Sequence, residues 1–190
     1  MNSRFVLFLL ILASALRTSV TADAADKQPN IVFFLTDDQR NDTLGCAGHP
    51  IVKTPNVDDL AANGVHFQNM FVQHSICWVS RATLMTGLTC RSFGSKQKPD
   101  TVTPQAVESL SPDVMRAAGY RTGFFGKWHI RGPQGFKPQD HFDEFEGINR
   151  APYYKKQPDG TLRHETEIIG DRGVDFIKSQ PKDKPFVLNL

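Results

Sequence analysis

The segment from Ser75 to Gly87 contains the residues of this chain whose types and spacing could do chemistry. Cys77 is followed four residues later by Arg81, at what we predict to be the first turn of a helix. The first N–H groups of a helix are unpaired, and the helix dipole favours negative charge there. Arg81 lies one turn further on and offers a planar fork of donors that suits a tetrahedral oxyanion. The spacing therefore predicts an anion-binding site beside a thiol.

Two further clusters could contribute to the same site. Asp37 and Asp38 follow one apolar run, and Lys127 and His129 follow a later one. Adjacent carboxylates repel each other unless a cation lies between them, and an all-oxygen ligand set favours a hard ion such as Ca²⁺ or Mg²⁺. Lys127 and His129 are two residues apart, so in an extended chain both side chains leave the same face. Taken alone, each cluster is more typical of turn or surface residues.

Alternating strand and helix patterns indicate how these clusters could meet. The apolar run over residues 30–36 ends at the acidic pair and is typical of a strand buried on both faces. We predict helices over residues 54–64, from Cys77 onwards, over 111–119 and over 165–179, and further strands over 65–72, 120–126 and 185–190. This order predicts an α/β fold with a mostly parallel (mixed) sheet flanked by helices, whose ligands gather beyond the carboxyl ends of the strands.

Between two of these elements, residues 131–163 are rich in glycine, proline and charge. This composition predicts a long loop. Five aromatic side chains are expected to hold it against the rest of the domain: Phe136, Phe142, Phe145, Tyr153 and Tyr154.

Length and composition limit the class of protein. The 190 residues are 39% hydrophobic and 22% charged, which is typical of one globular domain. A formal net charge of +2 gives no basis for binding nucleic acid or an anionic membrane surface. Residues 1–24 combine Arg4, an apolar run over 5–16 and small residues, which predicts a signal peptide and a secreted or periplasmic protein. The apolar run is short for a stable membrane span of about 20 residues.

The chain has three cysteines, Cys46, Cys77 and Cys90, which is an odd number for an exported protein. One cysteine is therefore expected to stay unpaired or to be chemically altered, and the setting of Cys77 makes it the candidate. Whether Cys46 pairs with Cys90 stays open, because pairing depends on the distance between their Cα atoms.

Four motifs in this order resemble the N-terminal half of type I sulfatases, the arylsulfatase-like members of the alkaline phosphatase superfamily. They are residues 30–38, residues 53–60, Cys77-x-x-Ser80-Arg81 with Thr86-Gly87, and Gly126-Lys127-Trp128-His129. The resemblance extends from about Pro29 to Leu190. It implies that residues 25–190 form the N-terminal portion of a sulfatase domain that is incomplete at its C-terminus.

The resemblance also implies a chemistry, the hydrolysis of a sulfate ester on a sulfated small molecule or glycan. A formylglycine-generating maturation enzyme would oxidise Cys77 to formylglycine, whose hydrated aldehyde is the nucleophile. One hydroxyl of this hydrate would attack sulfur, and the other would then expel sulfate from the covalent intermediate. Arg81 would hold the hydrate in place.

The remaining candidate residues receive roles from the same resemblance. Asp37 and Asp38 would bind one Ca²⁺ together with the formylglycine oxygen at position 77. Lys127 would contact the sulfate oxygens, and His129 would contact the hydroxyl of the nucleophile. The resemblance thus implies a calcium-dependent hydrolase with covalent catalysis and cationic stabilisation of the transition state.

Two departures from the family pattern keep alternatives open. Val79 stands where the family usually has proline, which bears on recognition by the maturation enzyme. The family's second half supplies an Asp-Asn pair and further histidine and lysine contacts, so whether residues 1–190 are active alone stays open. One alternative is a phosphomonoester or phosphonate hydrolase of the same superfamily, although such enzymes often use serine or threonine as nucleophile. The other is a non-catalytic remnant or binding domain, which Val79 favours.

Overall fold

The computed structural model describes residues 28–94, 101–148 and 151–190. The predicted signal peptide, residues 1–24, lies outside the described residues. The strands are β1 (Ile31–Phe33), β2 (Arg121–Gly126), β3 (Glu144–Gly147), β4 (Tyr154–Lys156), β5 (Leu162–His164) and β6 (Phe186–Asn189). The helices are α1 (Pro55–Asn63), α2 (Cys77–Thr86), α3 (Cys90–Phe93), α4 (Pro104–Val107), α5 (Ser111–Ala117) and α6 (Glu165–Ser179). No helix in the described part is long and apolar enough to cross a membrane.

The main sheet has the strand order β1-β6-β2-β3, and all of its pairings are parallel. Strand β6 therefore lies in the centre, with Val187 opposite Ile31 on one side and opposite Thr122 on the other. A separate antiparallel pair, β4 and β5, makes the strand pairing of the domain mixed. The predicted mostly parallel sheet flanked by helices is confirmed, and the carboxyl ends of its four strands share one edge.

Hydrophobic side chains from alternate positions of β2 enter two separate cores. Phe124 belongs to the larger core, which also contains buried residues of α2, α3 and α4. Phe125 belongs to the smaller core, with Phe176 of α6 and Leu188 of β6. Because successive side chains of a strand point to opposite faces, helices cover β2 on both sides.

Close packing of α6 on the sheet requires a glycine in β2. A Cβ atom at Gly123 would lie 2.8 Å from Cε2 of Phe176 and 3.1 Å from Cδ1 of Leu188. Any larger residue at this position would push the helix away from the strand. The same helix covers the carboxyl edge of the sheet with its first turns, so its seating bears on the candidate site described below.

The predicted helices over residues 54–64, 111–119 and 165–179 and the helix from Cys77 are confirmed, with ends within two residues of the prediction. Strand β1 differs from the prediction in its burial. Ile31 and Val32 are 38% and 39% exposed, and Phe34 beyond the strand is 66% exposed. The physical reason is that β1 lies at the edge of the described sheet and pairs with β6 alone.

The predicted strand over residues 65–72 is wrong. These residues form no strand, and Val65, Met70 and Phe71 are exposed. Alternating apolar residues favour a strand only where a neighbouring strand accepts the backbone hydrogen bonds, and none lies beside this segment in the described part.

The predicted loop over residues 131–163 is wrong in part, because it contains β3, β4 and β5. These strands have three or four residues each, too few for an alternating pattern to indicate them. Phe136, Phe142 and Phe145 pack against the larger core as predicted. Tyr153 and Tyr154 do not, since each is 58% exposed.

Candidate active site

The parallel sheet places two of the predicted clusters at its carboxyl edge. The backbone N–H of Leu35 donates to the carbonyl of Leu190, and the N–H of Leu190 donates to the carbonyl of Phe33. These bonds extend the pairing of β1 with β6 just past β1, and Asp37 follows Leu35 by two residues. Lys127 directly follows β2. The order of the strands thus brings together residues that are 90 positions apart in the chain.

Asp37, Arg81 and Lys127 form a cluster of direct contacts. Lys127 Nζ donates to Asp37 Oδ2 at 2.7 Å, and Arg81 Nη2 donates to Asp37 Oδ1 at 3.3 Å. Arg81 Nη1 donates to the backbone carbonyl of Lys127 at 2.6 Å. The side chain of Arg81 is only 8% exposed, so these contacts hold its guanidinium in one orientation.

The two cations also change the acidity of Asp37. Desolvation by partial burial raises the pKa of this carboxyl, but the hydrogen bonds and positive charges of Lys127 and Arg81 outweigh it. The pKa of Asp37 therefore lies below its ordinary value of 3.8. The carboxylate is ionised at neutral pH and can act as an acceptor or as a metal ligand.

Cys77 begins α2, as predicted, and lies in a neighbouring cleft. It is exposed, and it lines a cleft of about 290 Å³ together with Asp38, Arg40 and Ser80. Ile76 occupies the N-cap position before the helix, and its side chain makes no capping hydrogen bond. The start of α2 therefore favours an anion beside position 77.

The loop that carries Lys127 and His129 is anchored by the residue between them. Trp128 is 4% exposed, and its ring lies 5.3 Å from that of Phe124 and 5.8 Å from that of Phe142. His129 is partly buried and has a φ of 53°, so the chain is not extended here. The prediction that Lys127 and His129 share one face assumed an extended chain, and that assumption is wrong.

Two of the predicted site residues have unusual backbone conformations. Asp38 and His129 both have a φ of 53°, and they are the non-glycine residues with positive φ in the described ranges. This left-handed region is sparsely populated, and residues held there cluster at functional sites. Asp38 lines the Cys77 cleft, whereas the adjacent Asp37 contacts Arg81 and Lys127.

All three cysteines are free. Cys46 is partly buried, whereas Cys77 and Cys90 are exposed. The possible pairing of Cys46 with Cys90, which the sequence leaves open, is absent from the structure.

The fit of this site to a calcium ion can be tested on its donors. Asp37 and Asp38 supply carboxylate oxygens, the kind of ligand that Ca²⁺ takes, but the ion needs about 6 to 8 oxygens. Both oxygens of Asp37 accept from cationic side chains, and no group of three His, Cys, Asp or Glu side chains in the described ranges could hold a metal ion. The described residues therefore fit calcium in the kind of donor and supply only part of the ligand set.

Arg40 is a further candidate site residue, which the sequence motifs do not single out. Arg40 lies two residues after Asp38 and lines the same cleft as Cys77. The only sequence signal was its place in the loop that follows β1 at the carboxyl edge of the sheet.

Comparisons with known proteins place this geometry in a family. The family model described as Sulfatase matches residues 29–190. The chain is 32% identical over 170 residues to an N-acetylglucosamine-6-O-sulfatase of Bacteroides thetaiotaomicron, covering 85% of this chain and 30% of that protein. It is 39% identical over 143 residues to human arylsulfatase A, covering 70% of this chain and 27% of that protein.

A solved structure shows the same fold. The structure of BT4656 in complex with its substrate, D-glucosamine-2-N,6-O-disulfate, matches with a TM-score of 0.69 and 27% identity, over 86% of this chain and 34% of that one. The chain spans roughly a third of the length of the curated relatives it matches. Because the family model covers the chain from before β1 to beyond β6, the chain belongs to the sulfatase family.

Proposed function

We propose that this protein is a sulfuric ester hydrolase that acts on sulfated carbohydrates. The observation that carries the proposal is the position of Cys77 at the start of α2, in a cleft with Asp38 and beside the contacts of Asp37 with Arg81 and Lys127. One similar protein is named N-acetylglucosamine-6-O-sulfatase, and one similar structure is a complex with its substrate D-glucosamine-2-N,6-O-disulfate.

In this proposal residue 77 supplies the nucleophile after conversion of the thiol to formylglycine. One hydroxyl of the hydrated aldehyde would attack the sulfur of the ester, and the S–O bond to the sugar would break, so that the sugar leaves as the alcohol once it has taken up a proton. The second hydroxyl would then lose its proton and form the aldehyde again as inorganic sulfate is expelled. The unpaired N–H groups at the start of α2 favour negative charge near this position. Val79, where the family pattern usually has proline, is 5% exposed and belongs to the larger core, which accounts for an apolar residue there.

Arg81 and Lys127 supply positive charge where the sulfate group would bind. A sulfate ester carries one negative charge, and charge spreads over its oxygens as the ester bond breaks, so fixed cations stabilise the transition state more than water does. The hydrogen bond from Arg81 to the carbonyl of Lys127 holds both residues in a fixed relation. His129, two residues beyond Lys127, is proposed to exchange a proton with the hydroxyl of the nucleophile.

Asp37 and Asp38 are proposed to hold a Ca²⁺ ion, together with ligands beyond the described residues. Such an ion would neutralise the negative charge of the bound sulfate. The low pKa of Asp37 keeps this carboxyl ionised over the range in which a hard cation binds. The maturation enzyme, the signal peptide and an extracytoplasmic location are part of the same proposal, because an exported chain would be modified at Cys77 before it folds.

Sulfate release by the product of the longest version of the gene tests the proposal. The peptide that contains residue 77 is first weighed, and a loss of about 18 Da relative to the thiol confirms the aldehyde. N-acetylglucosamine-6-sulfate should then release sulfate, and the Cys77→Ala variant should not. Aryl sulfates and phosphate monoesters serve as comparison substrates. If a protein with confirmed aldehyde releases sulfate from neither the sugar sulfate nor the aryl sulfates, the proposal is contradicted. Release of phosphate alone would favour the phosphohydrolase alternative.

A further inference from the structure

We propose that Arg40 is a specificity-determining residue that binds a second anionic group, a sulfate or a carboxylate, on the sulfated substrate. The inference deepens the proposed function and rests on it, because it concerns the cleft that contains Cys77. Three observations carry it: the charges that line this cleft, the fixed backbone and exposed side chain of Arg40, and the weak local ion pair that this side chain makes.

The first observation concerns charge. Among the described residues that line the Cys77 cleft, the formally charged ones are Asp38 and Arg40. The cations of the neighbouring cluster, Arg81 and Lys127, both contact Asp37, and their side chains are only 8% and 29% exposed. They suit the sulfate that is cleaved. Arg40 is the positive group on the cleft wall that remains for another part of the substrate.

The second observation is that the backbone of Arg40 is held in a turn. The carbonyl of Arg40 accepts from Thr43 Oγ1 at 2.8 Å and from Thr43 N at 3.3 Å. The side chain, in contrast, is 77% exposed. Because the backbone is fixed and the side chain is long and exposed, the guanidinium can reach over the opening of the cleft from a defined position.

The third observation is the contact that Arg40 already makes. Its Nη2 atom pairs with Oδ2 of Asp42, which lies two residues away and is itself 52% exposed. An exposed local pair of this kind is weak. A guanidinium binds sulfate and carboxylate through two parallel hydrogen bonds, so a second anionic group on a bound sugar can take the place of Asp42. Asp42 then acts as an internal competitor for that group.

Kinetics with the product of the longest version of the gene, carrying confirmed formylglycine, test the inference. N-acetylglucosamine-6-sulfate carries only the sulfate that is cleaved. Glucosamine-2-N,6-O-disulfate adds a second sulfate, and a 6-sulfated N-acetylglucosamine joined to a uronic acid adds a carboxylate. Arg40→Gln should raise KM about tenfold for one or both of the doubly charged substrates, because a charge-assisted hydrogen bond is lost. Its KM for the monosulfate should stay within about twofold. The substrate that responds identifies the second anion.

Matched variants separate this role from others. Arg40→Lys should restore part of the affinity, since it keeps the charge but loses the fork. Asp42→Asn should lower KM for the doubly charged substrates by removing the competitor. Arg163→Gln serves as the control, because Arg163 pairs with Glu167 and Asp171 outside the cleft and should change no KM.

Two results would overturn the inference: an equal loss on all three substrates, and no change on any of them. If the wild-type protein with confirmed aldehyde hydrolyses none of the three, the proposed function fails instead. Calorimetry then decides about Arg40 separately. Weaker binding of the disulfate, but not of the monosulfate, to Arg40→Gln supports the inference, and equal binding to both proteins contradicts it.

Discussion

Arg81 connects the helix that begins at Cys77 with the two strand ends that carry Lys127 and Asp37. It donates to the Lys127 carbonyl with one nitrogen and to Asp37 with the other, and it is almost fully buried while doing so. The three donors of a lysine all lie on one nitrogen, so lysine cannot place donors at the two separate positions that Nη1 and Nη2 of Arg81 occupy. The position therefore depends on the shape of the guanidinium as well as on its charge.

Arg81→Lys should lower kcat/KM for sulfate release about 10- to 100-fold, the effect of losing one charge-assisted hydrogen bond in a positioned site. Steady-state kinetics on the protein with confirmed formylglycine measure this change. Arg163→Lys, on an exposed face of the chain, is the control and should leave the rate unchanged. Wild-type activity in Arg81→Lys would contradict a role for the planar fork.

Asp37→Asn should reduce the free energy of unfolding by about 1–2 kcal/mol at neutral pH, because it leaves Arg81 without its carboxylate partner. The loss is small because Asp37 is 42% exposed and water screens its ion pair with Arg81. Denaturant unfolding of both proteins measures the difference.

The difference between the wild type and Asp37→Asn should also depend on pH. The pKa of Asp37 is lower in the folded protein than in the unfolded one, so its stabilising contribution is present above the ordinary value of 3.8. It is lost as the pH falls through the folded-state pKa. The two unfolding curves should therefore approach each other in acid, and a gap that persists at the lowest accessible pH would contradict the role of the carboxylate charge.

At the scale of elements, two glycines near α6 should respond to replacement by alanine in opposite directions. Gly123→Ala should destabilise the protein by about 1–3 kcal/mol, because the new methyl group would overlap Phe176 and Leu188. Gly170→Ala should stabilise it by about 0.5–1 kcal/mol, since Gly170 lies within α6 and a Cβ there would meet no atom within 4 Å. Thermal unfolding of both variants checks the pair. A loss of stability in both would show that α6 tolerates no added volume.

The sequence predicts the elements of this fold unevenly, for physical reasons. The helices α1, α2, α5 and α6 were predictable because proline, glycine and apolar spacing are local signals. Strand β1 was predictable in place but not in exposure, which depends on its neighbours in the sheet. The strands β3, β4 and β5 escaped prediction because three or four residues hold too little pattern.

The candidate site divides in the same way. The motifs indicated Asp37 and Lys127 by their types and their places after strands, and Cys77 and Arg81 by their spacing at a helix start. No spacing in the sequence indicated that Arg81 bonds the Lys127 carbonyl, because that contact joins residues 46 positions apart. The left-handed backbone at Asp38 and His129 could not be predicted either, since this conformation favours glycine and neither residue is a glycine.

At the scale of the whole molecule, large apolar side chains are exposed over one part of the chain. Phe67, Met70 and Phe71 are 67%, 75% and 86% exposed within the segment that was predicted as a strand. Exposed apolar patches of this kind mark surfaces that bind other protein or that aggregate. The exposed edge of β1, which pairs only with β6 in the described sheet, is a second place where another chain could pair.

Residues 28–190 produced alone should therefore self-associate, and Phe71→Ser should reduce this association. Light scattering over a series of concentrations measures it. Tyr153→Ser removes a similarly large exposed side chain outside this segment and serves as the control. A wild-type chain that stays monomeric throughout the series would contradict the prediction.

The central place of β6 sets a condition on folding. Ile31 and Thr122 both pair with Val187, so in the described sheet β1 has no partner, and β2 has only β3, until β6 has been synthesised. Pairings between positions this distant are slow to form. On the ribosome, the chain must emerge as far as β6, which ends at Asn189, before the four-stranded sheet can form. Until then the apolar strands are available to chaperones, and the Cys77 segment stays in an extended form that the proposed maturation enzyme could reach.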